Sequence, residues 1–522
     1  MGLLGFSKIS MRALGRKFCS APKLPEDPSL SPFTNLNQKT FFLKTYGCQM
    51  NSNDSLIVTK ILASHGMIAS KSMPSDLVLL NTCAVRENAE SKIRSQVTNF
   101  KREFESSAEK PLIGILGCMA ERLKDKLVEE LKVDLVVGPD AYRDLPRLVD
   151  YLMGASNNSR QNYAINTKLS LEETYGDIRP VIQEGVSAGV SITRGCNNMC
   201  SFCIVPFVRG VERSRSIDSI LEEVADLAKN KIKDITFLGQ NVNSYFDTAA
   251  GNSKKEVVEG FDEISRSKFK KTGSDFSDLL TRAAQQEPNI RFRFISPHPK
   301  DFSDRTIDVI AEHPNICRSI HLPLQSGSTP VLERMNRRYS AEAFLNLARK
   351  IQQKVPGVSL TTDIIVGFCG ETEEQFQETL DLYKQVGFDS VFPFAYSVRE
   401  KTVAHRTLAD DVPPEVKKDR LNRLINLASS ITKENALKEI GRTHIVLLDR
   451  EDNKPGSDVK GKTDTFKTAV ARGVPEELKQ FGTFVKVKIE EVSGITLIGK
   501  FVGETTIQDF ARESGGRPFI TN

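Results

Sequence analysis

The sequence lacks several features that would indicate a particular class of protein. Its 522 residues contain no uninterrupted apolar run of membrane-spanning length, so we expect no transmembrane helix and no membrane partner. Nine cysteines is an odd number, which argues against a disulfide framework. Of the 72 basic and 67 acidic residues, four basic ones lie within the first 20 positions, leaving 68 and 67 elsewhere. Composition alone therefore does not indicate nucleic-acid binding, and any RNA contact must come from a local patch.

The first 20 residues lack acids altogether. They carry Lys8, Arg12, Arg16 and Lys17 among scattered apolar residues, which is the pattern of a mitochondrial transit peptide. A disordered basic arm is the alternative. We interpret residues 1–37 as a transit peptide and linker, and we expect the protein in the mitochondrial matrix.

Three cysteines lie unusually close together in the stretch ITRGCNNMCSFCIVP. Cys196, Cys200 and Cys203 provide three soft thiolate ligands, one fewer than a complete four-cysteine set, so a bound iron–sulfur cluster would keep one iron open. Zinc needs a fourth ligand nearby, and the next histidine, His298, is far downstream. The pattern favours a cluster, with zinc or redox chemistry as the alternatives.

Three further cysteines follow three short apolar runs, FFLKTY, DLVLLN and LIGILG. Cys48, Cys83 and Cys118 are each separated by 35 residues, about one strand–helix unit. Because the carboxyl ends of parallel strands share one edge of a sheet, these cysteines are expected to meet in space. They are interpreted as a second three-cysteine cluster site. Three separately buried thiols are the alternative.

The pattern of apolar runs predicts a mixed α/β chain of three domains. Strands and helices alternate in residues 38–155, typical of a Rossmann-like α/β domain. Six strand–helix units in residues 182–436 predict a partial or full α/β barrel, interrupted by a loop insertion at 246–274. Short β runs in residues 437–507 predict a small antiparallel barrel. The insertion is interpreted as a surface loop, with RNA contact as the alternative.

Specific motifs in this order resemble the radical S-adenosylmethionine (SAM) methylthiotransferase family. They are TYGCQMN (45–51), LLNTCAVRENAE (79–90), GCMAER (117–122), RGCNNMCSFCIVPFVRG (194–210), LGQNVNSY (238–245), SPHPKD (296–301), HLPLQSGS (321–328) and GFCGET (367–372). The resemblance covers nearly everything from Lys39 to Gly503, and its final barrel is of the TRAM type. NTCAVRE is similar to the MiaB-like tRNA branch. The runs GPDAYRDLPRL and CGETEE, the leader and the insertion resemble the animal mitochondrial branch. That branch is named after a protein associated with a regulatory subunit of a cyclin-dependent kinase.

The resemblance implies an enzyme that inserts a methylthio group at C2 of N6-isopentenyladenosine at position 37 of tRNA. It implies two 4Fe–4S clusters, SAM, an electron donor, a tRNA anticodon loop as partner, and a monomer. The triad Cys196, Cys200 and Cys203 would hold the radical-generating cluster, and the triad Cys48, Cys83 and Cys118 the auxiliary one. The alternatives are the same chemistry on threonylcarbamoyl-A37 or a ribosomal protein, and a non-catalytic regulator of a cyclin-dependent kinase.

The same resemblance suggests further site residues. The expected SAM contacts are Phe202, Gly239, Gln240, Gly367, Gly370 and Glu371. The expected substrate contacts are Arg86, Arg209, Arg213, Arg215, His321 and Gln325. Among these, Arg209, Arg213 and Arg215 form the clearest local basic patch. Because Arg binds phosphate in a bidentate way, we expect phosphate contact there, with a solvated loop as the alternative. The turn at Gly367 to Glu371 has a purely structural alternative, as does a satisfied core histidine at position 321.

Overall fold

The computed structural model describes residues 33, 35–84, 87–105, 110–154, 163–182, 184–251, 253–254, 261, 272–450 and 458–521. The predicted transit peptide lies almost entirely outside these residues, as does most of the 246–274 insertion. Within the described ranges no helix combines the length and apolar character needed to cross a bilayer.

The amino-terminal domain is a six-stranded, all-parallel sheet in the order β2-β1-β3-β4-β5-β6. Its elements are β1 (Thr40–Tyr46), α1 (Gln49–Ser64), β2 (Ile68–Ser70), β3 (Leu77–Thr82), α2 (Glu87–Glu103), β4 (Leu112–Gly117), α3 (Cys118–Leu123), α4 (Asp125–Leu131), β5 (Leu135–Val137), α5 (Leu145–Gly154) and β6 (Ala164–Asn166). The central strand β3 is buried on both faces. Leu77 and Leu79 enter one hydrophobic core, and Val78 and Leu80 enter the other. Helices therefore cover both faces, as expected for a parallel sheet.

The central domain contains all six strands predicted from the apolar runs. Its elements are β7 (Ser187–Ser191), β8 (Thr193–Arg194), α6 (Val205–Arg209), β9 (Arg213–Ser214), α7 (Ile217–Lys229), β10 (Asp234–Leu238), β11 (Phe246–Asp247), β12 (Ser253–Lys254), β13 (Thr272–Asp275), α8 (Phe276–Gln286), β14 (Arg291–Phe294), α9 (Asp304–Glu312), β15 (Ser319–His321), α10 (Thr329–Arg334), α11 (Ala341–Lys354), β16 (Ser359–Val366), α12 (Glu373–Val386), β17 (Ser390–Ala395), α13 (Val403–Thr407) and α14 (Pro414–Leu437).

The main strands of this domain form a parallel arc. Two three-stranded sheets, β7-β10-β14 and β15-β16-β17, are joined by a parallel bridge between Phe292 and Ile316. The arc runs from β7 to β17 as a partial barrel, and its carboxyl ends carry the predicted site residues. The predicted α/β class and the partial barrel are confirmed.

The carboxy-terminal domain is a closed barrel of five strands. Its elements are β18 (Thr443–Arg450), β19 (Val459–Thr463), β20 (Thr468–Arg472), β21 (Phe484–Ser493), β22 (Thr496–Glu504), α15 (Ile507–Ser514) and β23 (Phe519–Ile520). Pairing of β19 with β18 closes the barrel. The small barrel is confirmed, but it is not wholly antiparallel, since β20 and β22 run parallel. The sequence also missed α15 and β23, which extend this domain beyond residue 507.

Two buried arginines at the start of β14 attach the small barrel to the central domain. Arg291 donates hydrogen bonds to the backbone oxygens of Lys462 and Ile445. Arg293 donates to those of Thr463 and Asp464. These contacts lie at the amino end of a barrel strand, so the small barrel sits on the side opposite the cysteine triads.

Candidate functional site

The three amino-terminal cysteines follow three adjacent parallel strands in register. Tyr46 of β1 lies opposite Thr82 of β3, and Thr82 lies opposite Gly117 of β4. Cys48, Cys83 and Cys118 come one or two residues later, so they emerge at one edge of the sheet. We refer to these three cysteines as the auxiliary triad.

Close backbone approach brings the auxiliary triad together. A Cβ added to Gly47 would lie 3.1 Å from Cβ of Cys83. Gly117 has φ +88°, and a Cβ there would lie 2.4 Å from Oδ1 of Asn81, so only glycine fits before Cys118. Beneath these turns Asn51 accepts a hydrogen bond from the backbone N–H of Cys48 and donates to Asn81. This buried amide pair fixes the turns that carry the cysteines, and the sequence analysis missed it.

The second set, Cys196, Cys200 and Cys203, is referred to as the radical triad. It follows the short strand β8 at the carboxyl end of β7. The loop folds back on itself: the backbone N–H of Cys203 donates to the oxygen of Cys200, and that of Asn198 donates to Sγ of Cys196. Cys196 and Cys200 are buried, and Cys203 is partly buried.

Burial makes three of the six cysteines, Cys118, Cys196 and Cys203, poor thiolates. Desolvation raises the pKa of Cys196, and desolvation together with neighbouring Cys200 raises the pKa of Cys203 to about 12. Desolvation likewise raises the pKa of Cys118, with Arg209 opposing it. A soft metal that binds these sulfurs must therefore displace protons, and binding is favoured as pH rises.

The donor sets fit iron–sulfur clusters better than a single ion. In the described part of the chain, no three His, Cys, Asp or Glu side chains lie close enough to surround one metal ion. Ligands of a cluster bind different iron atoms and are spaced more widely. Each triad is all-sulfur, and the eight described cysteines are free of disulfides. This combination of thiols without a disulfide or a nearby fourth ligand suits a cluster with one open iron.

A contact between α3 and α6 joins the two triads. Helix α3 begins at Cys118, and α6 begins two residues after Cys203. Ile204 and Val208 pack with Ala84 and Cys118 in one small buried cluster. The two predicted cluster sites therefore share a wall, although the triads belong to different domains.

The predicted phosphate-binding patch of Arg209, Arg213 and Arg215 is wrong. All three side chains are buried, and each is paired with a protein carboxylate. Arg209 lies 2.8 Å from Asp54, Arg213 lies 2.8 Å from Asp140, and Arg215 lies 2.7 Å from Glu223. The pairs of Arg209 and Arg213 cross the interface between the amino-terminal and central domains, so these two arginines hold the domains together instead of facing RNA. The pair of Arg215 lies within the central domain.

Three of the predicted SAM contacts lie beside the radical triad. Gly239 and Gln240 follow β10, and the Gln240 side chain accepts a hydrogen bond of 2.5 Å from the backbone N–H of Gly195. Gly195 directly precedes Cys196. Phe202, between two triad cysteines, packs against the buried Phe368.

The turn after β16 is built by its own contacts. Gly367 has φ +68° and its N–H donates to Oε2 of Glu371 at 2.6 Å. Glu371 is buried and forms an ion pair of 3.0 Å with Arg420. Gly370, with φ +70°, donates its N–H to Asp411. These contacts account for the turn structurally, and they place it beside Phe368 and hence beside Phe202.

His321 and Gln325 lie on the concave side of the strand arc. The His321 ring bonds to Thr361 through Nδ1 and to Asp363 through Nε2, at 3.0 and 3.2 Å. The backbone of Gln325 pairs with β16. The strand register places Asp363 opposite Phe392, and the His321 and Phe392 ring centroids lie 5.8 Å apart.

Strand β17 carries two exposed aromatic residues that were not predicted from the sequence. Phe392 and Phe394 are 51% and 39% exposed, and they face the same side as Asp363 and His321. The two phenylalanines are two residues apart in the run SVFPFA. Side chains two residues apart in a strand lie on the same face, so this spacing could have predicted that both rings face the same side. Exposed aromatic rings inside a barrel are available for stacking.

A cleft of about 340 Å³ opens beside the auxiliary triad. Cys83 and Arg122 line it from the amino-terminal domain, and Val398 and Arg399 line it from the segment that follows β17. The same edge of the molecule thus runs from the exposed rings of β17 to Cys83. Arg86, predicted to contact substrate, lies outside the described residues.

Two family models match the chain. The one described as the Radical SAM superfamily matches residues 190–383, and the one described as Uncharacterized protein family UPF0004 matches residues 40–138. These ranges contain the radical triad and the auxiliary triad respectively.

Curated relatives match over most of the chain. A CDK5RAP1-like protein of Oryza sativa subsp. japonica is 44% identical, covering 90% of this chain and 82% of that protein. A tRNA-2-methylthio-N(6)-dimethylallyladenosine synthase of Chloroherpeton thalassium is 44% identical, covering 89% and 96%. The mitochondrial tRNA methylthiotransferase CDK5RAP1 of Rattus norvegicus is 42% identical, covering 94% and 86%. Among solved structures, the radical SAM methyltransferase TsrM of Kitasatospora setae is 14% identical with a TM-score of 0.49, covering 70% and 77%.

Proposed function

Since this chain belongs to the family of radical SAM tRNA methylthiotransferases, we propose that it inserts a methylthio group at C2 of N6-dimethylallyladenosine at position 37 of tRNA. The observation that carries the proposal is the pair of cysteine triads at strand carboxyl ends, joined by the α3–α6 contact. C2–H of adenine does not react by ordinary acid–base catalysis, so cofactors must carry the difficult step.

In this proposal Cys196, Cys200 and Cys203 hold one 4Fe–4S cluster, and Cys48, Cys83 and Cys118 hold a second. When bound, the first supplies the electron that cleaves SAM, and the second presents the sulfur to be transferred. The protein's part is to position the two sites against one wall and to keep water out. Burial of Ile204 and Val208 at that wall supports this role.

The proposed SAM-binding residues surround the radical triad. Gly239 and Gln240 shape the backbone beside Gly195, while Phe202 supplies an aromatic wall. Gly367, Gly370 and Glu371 form a tight turn that brings backbone groups to the same side. We assign Glu371 a structural role here, because Oε2 is engaged by Gly367 and Arg420.

The target base is proposed to enter from the open edge of the arc. A base in an anticodon loop is unpaired and can be turned out at small cost. Phe392 and Phe394 offer exposed faces for stacking on the adenine or its apolar N6 substituent, next to His321. Beyond them the chain leads to the cleft beside Cys83.

We place the protein in the mitochondrial matrix, in line with the transit-like leader and with relatives named as mitochondrial enzymes. An external one-electron donor is required, because SAM cleavage consumes an electron.

Nucleoside mass spectrometry tests the proposed function. Deleting the gene should remove 2-methylthio-N6-dimethylallyladenosine from mitochondrial tRNA and leave N6-dimethylallyladenosine in its place. Re-expression of the wild-type chain should restore the product, and Cys83→Ala or Cys200→Ala should not. Unchanged product in the deletion strain would disprove the proposal. If the deletion instead removes a methylthio group from threonylcarbamoyl-A37 or from a ribosomal protein, that molecule is the substrate and the proposed one is wrong.

A further inference from the structure

The ion pairs between the amino-terminal and central domains carry an unbalanced charge. Arg194, Arg209 and Arg213 come from the central domain, and Asp54 and Asp140 from the amino-terminal one. All five are at least nine-tenths buried. Three guanidiniums face two carboxylates, so this cluster of side chains holds one positive charge in excess. A buried charge is costly without a partner, which indicates that a further anion belongs here.

Arg209 is the member of this cluster that reaches a predicted metal ligand. Its Nε donates a hydrogen bond of 3.1 Å to Sγ of Cys118, while Nη1 lies 2.8 Å from Asp54. Its Nη2 is buried and has no hydrogen-bond partner among the described residues. An arginine guanidinium is protonated at any ordinary pH, so the side chain stays charged.

The position of Arg209 in the chain links it to both triads. It is the last residue of α6, which begins just after the radical triad, yet its contact is with the auxiliary triad. At the radical triad, Arg337 plays a different part: its Nη1 donates to Sγ of Cys200 at 3.3 Å, and its other nitrogens bond to Tyr339 and Pro323. Each triad therefore has its own buried guanidinium, but only that of Arg209 retains a free donor.

We propose that Arg209 is a positioning residue for the auxiliary cluster, which it holds from the opposite domain and whose reduced state it stabilises. The inference rests on the proposed function, since it requires a cluster on Cys48, Cys83 and Cys118. A fixed positive charge in a water-free interior stabilises the reduced cluster, which carries one more negative charge than the oxidised one, and so raises its reduction potential. Hydrogen bonds to the cluster sulfurs act in the same direction. The unbalanced charge of the interface is then neutralised by the anionic, cysteine-ligated cluster.

The experiment measures each cluster separately. A chain with Cys196, Cys200 and Cys203 changed to Ala retains only the auxiliary triad. In that background, one-electron reduction with dithionite is followed by electron paramagnetic resonance at controlled potential. Arg209→Gln should move the midpoint to a more negative potential or release the auxiliary iron, and Arg209→Lys should recover most of the wild-type value.

Two matched variants separate a specific effect from lost packing. Arg215→Gln also breaks a buried ion pair in the same segment. The partners of the Arg215 side chain in the described part of the chain are Ser191, Ser219 and Glu223, so the auxiliary midpoint should be unchanged.

Arg209→Gln and Arg337→Gln are both measured in two backgrounds, the one above and a chain with Cys48, Cys83 and Cys118 changed to Ala, which retains only the radical triad. Arg337→Gln should move the midpoint of the radical cluster and leave that of the auxiliary cluster unchanged. Arg209→Gln should do the reverse.

The outcomes are distinct. If Arg209→Gln leaves the auxiliary midpoint and iron content at wild-type values, or alters both clusters equally, the proposal is wrong. If the wild-type chain itself assembles only the radical cluster, the proposed function fails first and the inference fails with it.

Discussion

The rings of Phe202 and Phe368 meet edge to face, with their centroids 6.5 Å apart. Phe368 also lies 4.9 Å from the ring of Tyr396. Three aromatic rings thus connect the loop of the radical triad to the carboxyl ends of β16 and β17. This row of rings fixes the loop relative to the arc of strands.

Removal of the central ring should destabilise the domain strongly. Phe368 is completely buried, so Phe368→Ala should lower the free energy of unfolding by about 3–5 kcal/mol. Urea unfolding followed by circular dichroism measures this. Phe392→Ala is the control, because that ring is half exposed and its loss should change the stability little. Equal effects of the two substitutions would contradict this account.

The iron content of the protein should show whether each triad binds a cluster. Anaerobically reconstituted wild-type protein should contain about eight irons per chain, four for each 4Fe–4S cluster. The triple variant of Cys48, Cys83 and Cys118 to Ala should retain about four. Cys317→Ala is the control, since this buried cysteine belongs to neither triad and should leave the iron content unchanged. About four irons in the wild-type chain would eliminate one of the sites.

The carboxylate of Asp54 should be essential for docking of the two domains. It pairs with Arg194 and Arg209 at 2.8 Å each, and all three side chains are buried. Asp54→Ala would leave Arg209 without its carboxylate partner and Arg194 with only its longer pair to Asp140, at 3.8 Å. We therefore expect a loss of about 3–5 kcal/mol in unfolding free energy. Asp308→Ala breaks an exposed pair with Lys354 and should cost at most about 1 kcal/mol. A similarly small effect at Asp54 would contradict the structural role.

Glu121 should make stability depend on pH. Burial raises its pKa to about 7, against the opposing pull of Lys124, and its Oε2 has no hydrogen-bond partner in the described chain. Between about pH 4.5 and 7 the folded state retains a proton that the unfolded state has lost, so stability falls as pH rises through this window. Glu121→Gln should remove the decline and raise stability at pH 8 by up to about 3 kcal/mol. Urea unfolding at pH 5 and 8 measures this, with Glu129→Gln as control. Parallel pH profiles for wild type and Glu121→Gln would refute it.

The rings of β17 should contribute to substrate recognition. Stacking of a base on an aromatic ring contributes about 1–3 kcal/mol, so Phe392→Ala or Phe394→Ala should lower kcat/KM for tRNA about 5- to 150-fold. Most of the loss should appear in KM, with SAM binding unchanged. Val502→Ala, at a distant exposed apolar residue of the small barrel, is the control. If instead SAM affinity falls and the KM for tRNA does not, these rings contact the cofactor.

The elements and the two triads could be predicted because they depend on local pattern. Apolar runs identified β1, β3 and β4, and the rule that parallel strands end together brought Cys48, Cys83 and Cys118 to one edge. The short β runs near the carboxyl end likewise predicted a small barrel, and the structure shows one of five strands.

The roles of the arginines could not be predicted, because burial depends on partners that are distant in sequence. Arg209 and Arg213 read as a surface patch when only their neighbours are considered, but Asp54 and Asp140 neutralise them from another domain. The Asn51–Asn81 pair was missed for the same reason. The parallel pairing of β20 with β22 was missed because connection lengths alone do not fix strand direction.

The partnership of Arg209 with Cys118 has a consequence for the order of assembly. The auxiliary triad and the helix that ends at Arg209 belong to different domains. Arg209 reaches the sulfur of Cys118 only when these two domains dock. The auxiliary triad is therefore more accessible to iron and sulfide before docking than after it.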